Sequence, residues 1–153
     1  MAIKCTTQLS DIYNHLQKFS EKVHKLILRR LTILGEECVK EARDRAPELS
    51  WYDQTGNLRS SIGYIIVFNG QIVKKSSFKK VKEGTDGPRE GLALAKEIAN
   101  DYSNGYALIV VAGMKYAAYV EAMENKNVLA SAELYAESQV PVIKQALMKA
   151  LFD

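Results

Sequence analysis

Two histidines are the first side chains in this sequence to weigh for acid–base chemistry or metal binding. His15 and His24 lie nine positions apart in one helical pattern, and 3.6 residues per turn place them half a turn from each other. They therefore cannot bind the same ion. Neither accompanies a serine or cysteine nucleophile in a recognisable arrangement, so we interpret both as ordinary solvated histidines.

Three carboxylates, Glu37, Glu41 and Asp44, fall on one side of the same helical pattern and have the chemistry of metal ligands. Glu41 and Arg45 form an i, i+4 pair in the favourable orientation, which stabilises a helix by about 0.2 to 0.5 kcal/mol. A charged, solvated helix face is therefore the simpler interpretation. The glycines form no phosphate-binding loop between a strand and a helix. The sequence predicts no catalytic residue, no metal and no cofactor.

A lysine tract is the most concentrated charge feature. Five lysines fall within nine residues around Phe78, and they are Lys74, Lys75, Lys79, Lys80 and Lys82. Such a tract can contact a phosphate backbone, but lysines at a strand end or in a loop usually stay solvated and oppose edge-to-edge aggregation. The formal net charge of the whole chain is only +3. We do not expect a nucleic-acid partner, and we keep a small nucleic-acid-binding module as the alternative function.

The length and composition of the chain are those of an ordinary globular protein. The chain has 153 residues, of which 47% are hydrophobic and 25% charged, as in ordinary globular proteins. This length predicts a single domain over residues 1–153 that needs neither a metal nor a disulfide. Cys5 and Cys38 lack metal-ligand spacing, so we expect two free thiols. No segment reaches the roughly 18 apolar residues of a membrane span, and no signal-peptide core is visible, so we expect a cytosolic chain without membrane contact.

A long helix is the first element that must position any site. Apolar residues recur every three or four positions from Ser10 to Arg45, and this segment would be about 54 Å long. A body of this size is roughly 40 Å across. The helix must therefore bend, for which Gly35 is the natural place, or project beyond the body.

The remaining pattern predicts an α+β fold. Asn69-Gly70 joins two runs rich in β-branched and aromatic residues, which predicts a hairpin with a type I′ turn. A short helix opens at Pro88, and the apolar run 106–113 predicts a central strand covered on both faces. The last helix, from about Ser131 to Phe152, is expected to be kinked or broken near Pro141. Local strand pairing between terminal helices is typical of the α+β class.

The first helix is apolar over more of its circumference than one core contact requires. Leu26, Leu28 and Ile33 lie off its main apolar stripe, and such a helix must be covered on several sides. Another helix of the same chain is one cover, and a neighbouring subunit is the other; both can hold at once. We therefore treat these three residues as candidate subunit contacts.

Two segments resemble the signature of phage head-to-tail neck, or tail-completion, proteins. In APELSWYDQTGNLRSSI the matching positions are Ala46, Pro47, Thr55, Gly56, Leu58, Arg59, Ser61 and Ile62. In YAAYVEA they include Tyr116, Tyr119 and Glu121. The order and separation of the two segments agree with that family, and the resemblance covers most of the chain. After Glu121 the sequence AMENKNVLASAE departs from the family's phenylalanine-glycine-threonine continuation.

This resemblance implies a non-enzymatic structural protein of the virion that joins or completes the tail end as copies in a ring. Its partners would be other neck and tail proteins, and it would pass through the host cytoplasm during assembly. We expect the isolated chain to be a monomer or weak oligomer whose ring forms only on a phage template. A small enzyme with a site that sequence cannot connect remains a further alternative.

The residues of the first segment themselves indicate a structural turn. Asp53 or Thr55 can accept backbone hydrogen bonds, and Gly56 can take a positive φ. We also expect Arg59 to form a charge-assisted pair with Glu121, which would join the two segments.

Overall fold

A computed structural model describes residues 4, 6–44, 51–123 and 127–152. In chain order its elements are α1 (Leu9–Arg43), α2 (Asn57–Ser60), β1 (Ile62–Phe68), β2 (Gln71–Lys75), α3 (Gly87–Ala99), β3 (Tyr106–Ala112), α4 (Ala117–Glu121) and α5 (Ala130–Phe152). The strands form an antiparallel sheet with the order β2-β1-β3. A small sheet between long terminal helices confirms the predicted α+β class.

The turn between β1 and β2 is the predicted hairpin turn. Asn69 has φ 48° and Gly70 has φ 81°, and a type I′ turn needs positive φ at both positions. The Asn69 side chain also accepts a hydrogen bond of 2.9 Å from the Gly105 N–H, while the Asn69 N–H donates to the Gly105 carbonyl at 2.9 Å. The hairpin turn is therefore bound to the residue that precedes β3.

The central strand is β1, so the prediction that the run 106–113 is central was wrong. β3 pairs with β1 alone among the described strands, and three of its seven residues are buried, against six of seven in β1. Its apolar run has another cause. Leu108 and Val110 pack towards one core cluster and Ile109 and Val111 belong to the other. A continuous apolar run indicates that both faces of the strand are covered. An edge strand can be covered on both faces as well as a central one.

Two hydrophobic clusters lie on opposite faces of the sheet. Alternate residues of β1 point to opposite faces, so Ile62, Tyr64 and Ile66 enter the cluster beneath α1 and α5. Ile65 and Val67 enter the cluster beneath α3. Both clusters therefore depend on β1, whose side chains are almost completely excluded from solvent.

Helix α1 runs through Gly35 without interruption and projects beyond the sheet. All residues from 9 to 22 are exposed, whereas the buried positions of α1 begin at Leu34. We call residues 9–22 the α1 arm. Beyond it, His24 is half-buried beside the Phe68 and Tyr106 rings and shares a hydrogen bond of 2.5 Å with the Tyr106 hydroxyl. Its interpretation as a solvated histidine was therefore wrong, whereas His15 is exposed.

Gly35 serves close packing: a Cβ at this position would lie 2.7 Å from the Tyr64 ring. The Tyr64 ring is fully buried, and its hydroxyl donates a 2.8 Å hydrogen bond to Glu36, so burial first and then Glu36 raise the pKa of Tyr64.

Helix α5 packs antiparallel to α1. The Cys38 thiol donates to the Ala132 carbonyl at 3.7 Å, and the Tyr135 hydroxyl donates to Glu37 at 2.7 Å. Later residues of α5 lie beside earlier residues of α1. α5 continues through Pro141 as one helix, which excludes the predicted break, although the prolyl nitrogen cannot donate to the preceding turn.

Two smaller expectations concern the cysteines and the membrane. Cys38 is a free, buried thiol, and burial, followed by Glu37 and Glu41, raises its pKa to about 11. Cys5 lies outside the described residues. None of the described helices combines the length and apolar character that a membrane crossing requires.

Replacing Gly35 with Ala tests the fit of α1 against the sheet. Alanine favours a helix by about 1 kcal/mol over glycine, but the added methyl group must displace the fully buried Tyr64 ring. Overpacking of this kind costs about 1 to 3 kcal/mol, so we expect a net fall in the free energy of unfolding, measured by urea denaturation. Ser20→Ala, in the exposed arm, should be neutral or slightly stabilising. A Gly35→Ala protein as stable as the wild type would contradict the close contact.

Candidate functional site

The described part of the first motif, residues 51–62, forms a largely buried turn before β1. Asp53 is 7% exposed, and its carboxylate accepts hydrogen bonds from the Gly56 N–H at 3.0 Å and the Arg59 N–H at 2.9 Å. The Thr55 hydroxyl oxygen accepts from the Asn57 N–H at 3.3 Å. Both predicted acceptors are therefore confirmed. Ala46 and Pro47 lie outside the described residues.

Gly56 lies where no side chain fits. Its φ is 81°, as predicted, and a Cβ would stand 2.1 Å from the Val81 carbonyl oxygen. The Ser60 hydroxyl completes this contact, since it donates to the Gly56 carbonyl at 2.6 Å and accepts from the Val81 N–H at 2.7 Å. Leu58 and Ile62 are buried in the cluster beneath α1 and α5. The motif thus joins the start of the sheet to the segment before α3.

Two arginines connect this turn to the end of α1. Arg43 donates from Nε to the Arg59 carbonyl at 2.8 Å and from Nη2 to the Lys79 carbonyl at 2.9 Å. Arg59 donates from Nη1 to the Arg43 carbonyl, and its guanidinium carbon lies 4.9 Å from the centre of the Trp51 ring. This is a cation–π geometry. The sequence analysis missed Arg43, because only the folded chain brings residues 43, 59 and 79 together.

Glu121 has a role that the sequence analysis did not predict. Its carboxylate accepts hydrogen bonds from the N–H groups of Val128 and Leu129 at 2.8 Å each and of Ala130 at 3.2 Å. These amides open α5, where a negative charge is favoured. The Arg59 guanidinium donates to the Arg43 carbonyl and lies over the Trp51 ring, as described above. The charge-assisted pair between Arg59 and Glu121 therefore stays a prediction.

The two motifs meet at a pocket of about 240 Å³. It is lined by Trp51, Tyr52, Asp53, Gln54, Thr55, Leu58, Tyr116 and Val120. Burial and the Asp53 carboxylate raise the pKa of Tyr116, whereas Tyr119 faces solvent. Beside the pocket, Asp53 and Thr55 accept backbone hydrogen bonds, and the described residues contain no cluster of potential metal ligands. This arrangement suits a rigid joint between two segments.

The predicted subunit contacts differ in their surroundings. Leu28 packs against the cluster beneath α1 and α5, Leu26 is half-buried, and Ile33 keeps 43% of its surface exposed. The α1 arm is far more exposed. Its large hydrophobic residues Leu9, Ile12, Tyr13, Leu16 and Phe19 range from 42% to 84% exposed. Ile12, Leu16 and Phe19 lie on the apolar stripe of the predicted helix, and the length of that helix was the signal that they project.

The lysine tract is divided by the fold. Lys74 and Lys75 are exposed at the end of the edge strand β2, where they oppose strand addition. Lys79 and Lys80 are exposed in the following segment. The Lys82 ammonium instead donates to the Asp53 carbonyl at 2.7 Å and lies 5.6 Å from the centre of the Tyr52 ring. Lys82 thus contacts residues of the first motif.

Gly56 and Gly105 allow a matched test of the turn. Both have positive φ, but a Cβ at Gly105 meets no atom within 4 Å. Gly105→Ala should lower the free energy of unfolding by about 1 kcal/mol through backbone strain alone. Gly56→Ala should cost at least about 1 to 3 kcal/mol more, because the methyl group meets the Val81 carbonyl. Equal losses of the free energy of unfolding in urea denaturation would show that the turn rearranges to accommodate the methyl group.

Glu121→Gln tests the start of α5. Glutamine keeps one acceptor oxygen but loses the charge that strengthens all three hydrogen bonds, so we expect a loss of about 1 to 2 kcal/mol in the free energy of unfolding. Glu133→Gln removes a carboxylate from the first turn of the same helix, where the exposed charge contributes about 0.3 to 1 kcal/mol. If the two substitutions cost the same, the three amide contacts are not what stabilises α5.

Comparison with known proteins identifies the family of this chain. Residues 10–122 match the family described as "Bacteriophage HK97-gp10, putative tail-component". The matched range starts in the first turn of α1, contains α2 to α4 and both motifs, and ends before α5. No curated protein and no solved structure is significantly similar to this chain. Because the match extends over most of the chain, the protein belongs to the HK97-gp10-like family of bacteriophage tail components.

Proposed function

We propose that this protein acts at the head-to-tail junction of a phage or prophage, as a neck or tail-completion protein present in a ring of copies. Its family is one of phage tail components, which places it among the structural parts of the virion. We propose three features beyond the family: a position at the junction, a ring of copies, and contacts with other neck and tail proteins.

The α1 arm is the observation that carries this proposal. Leu16 is 63% exposed and Leu9 is 84% exposed, and full burial of such a side chain is worth about 1.5 to 3 kcal/mol relative to exposure. A contiguous apolar surface of this kind marks an interaction site. Copies arranged around a tail end would supply the cover that the described part of the chain leaves missing.

The remainder of the site makes the arm rigid. The far end of α1 is held by Arg43, which binds the carbonyls of Arg59 and Lys79. Gly35 allows α1 to sit directly on Tyr64 in the middle of the sheet. Because α1 is one uninterrupted helix, these contacts also set the direction in which the arm leaves the body. Asp53 and Glu121 hold backbone amides, so we assign them structural roles and propose no reaction.

No contact of the lysine tract in the described residues favours nucleic-acid binding, and Lys82 is held by the first motif. We therefore propose no second function.

Deletion of the gene from an inducible phage, followed by complementation, tests the proposal. Electron microscopy of lysates should show filled heads and separate tails that fail to join, and the wild-type gene should restore joined particles. Leu16→Lys combined with Phe19→Lys should keep the circular dichroism spectrum, since both positions are exposed, yet fail to restore joining.

The matched control for this complementation places two lysines on the polar side of the same arm, as Gln17→Lys with Glu21→Lys. This control protein should restore joined particles. Joined particles in the deletion strain would contradict a role at the junction, and a complete lack of tails would indicate a role in building the tail tube instead. Full rescue by the Leu16 and Phe19 variant would show that the arm is not a contact surface.

A further inference from the structure

We propose that the α1 arm of one copy docks into the groove between α1 and α5 of the next copy. This inference rests on the proposed ring and names its contact. The groove, here called the α1–α5 groove, is an apolar cavity of about 390 Å³. It is lined by Leu31, Leu34, Val140, Ile143, Lys144, Leu147, Met148 and Leu151.

The arm has the pattern of a helix that fits such a groove. Leu9, Ile12, Leu16 and Phe19 recur at alternate spacings of three and four, which places them on one face. Helices that bind in grooves use anchors at these spacings. From Leu9 to Phe19 the helix rises about 15 Å, and from Val140 to Leu151 the groove wall on α5 rises about 16 Å. The two apolar surfaces therefore agree in length.

A chain cannot fill its own groove with its own arm. Phe19 and Leu31 lie on the same uninterrupted helix, twelve residues or about 18 Å apart along its axis. The arm would have to fold back sharply to reach the groove, which would break α1. A second copy carries an arm of the matching length and chemistry, and this argues for the same chain as the occupant.

Opposite charges would align the two surfaces. The apolar face of the arm is bordered by Asp11, together with Thr7 and His15. The groove contains one charged side chain among its lining residues, Lys144. Docking of the arm would bring an aspartate to a surface that carries a lysine, and such complementarity fixes register and partner choice more than affinity.

The contact predicts the symmetry of the assembly. The arm and the groove are different surfaces, so each copy gives an arm to one neighbour and receives an arm from the other. Heterologous contacts of this type close into rings when the rotation between copies allows it. Pairing of two arms would instead join identical surfaces and stop at a dimer.

Disulfide trapping between two differently tagged chains tests the contact. Both chains carry Cys5→Ser and keep the buried Cys38, whose raised pKa leaves it protonated at neutral pH. One chain carries Leu16→Cys in the arm and the other Met148→Cys in the groove, both at exposed positions. The two chains are mixed in equal amounts and mildly oxidised. Mixed-tag dimers should then make up more than half of all disulfide-linked dimers, which is the fraction that random pairing gives. A random share, or an excess of Leu16–Leu16 dimers, would overturn the proposal.

Charge reversal provides the matched control in the same assay. Asp11→Lys on the arm chain, or Lys144→Asp on the groove chain, should lower the yield of mixed-tag dimers several-fold. Combining the two reversals should restore the yield, because the pair is then reformed with exchanged signs. A combined variant that stays as low as the single reversals would overturn the predicted register.

Trapping inside particles separates this inference from the proposed function. A chain with both cysteines, in the Cys5→Ser background, would be supplied to the deletion strain and joined particles purified. Disulfide-linked multimers in those particles would support the arm-in-groove contact. Joined particles that contain the chain but only monomers after oxidation would overturn the contact while leaving the junction role intact. Trapping in solution with a chain absent from particles would support the contact and contradict the junction role.

Discussion

The packing of α1 on β1 is the contact on which the rest of the structure depends. β1 is the only described strand with a neighbour on each side, and its alternate side chains enter both hydrophobic clusters. Gly35 lets the axis of α1 approach the Tyr64 ring more closely than any other residue type would allow. Because α1 meets the sheet from about His24 onwards, where the His24 ring lies beside Phe68 and Tyr106, residues 9–22 must leave the body as an arm.

The first motif explains how that contact is kept rigid. Its polar groups are directed at backbone atoms: Asp53 holds two amides, Ser60 joins Gly56 to Val81, and Arg43 reaches the carbonyls of Arg59 and Lys79. The Asp53, Ser60 and Arg43 side chains are thereby satisfied, which avoids the cost of an unmade hydrogen bond. Residues that look reactive in the sequence therefore act as connections between segments that are distant in the chain.

Helix α5 adds a second layer that the family match does not include. Glu121, at the end of the matched range, caps its first amides. α5 then covers the cluster above β1 and forms one wall of the α1–α5 groove. The arm thus lies within the part shared with the family, whereas one wall of its proposed docking surface is supplied by α5.

Local backbone chemistry was readable from the sequence alone. Asn69-Gly70 predicted a hairpin, Gly56 was a residue able to take a positive φ in a turn, and the long apolar period of α1 together with its length predicted a bend or a projection. These features depend on neighbours within a few residues, so the sequence contains the information directly. The α+β class followed from the order of the elements.

Long-range contacts were decided only by the tertiary structure. The apolar run of β3 could not reveal that β1, and not β3, has two neighbouring strands, because both faces of β3 are covered in either arrangement. The partners of Arg59 and Glu121 depend on where residues 43, 51 and 128–130 come to lie. The exposure of Leu16 and Phe19 could not be separated from core burial by periodicity, since a helix face has the same pattern whether the sheet or a neighbouring copy covers it.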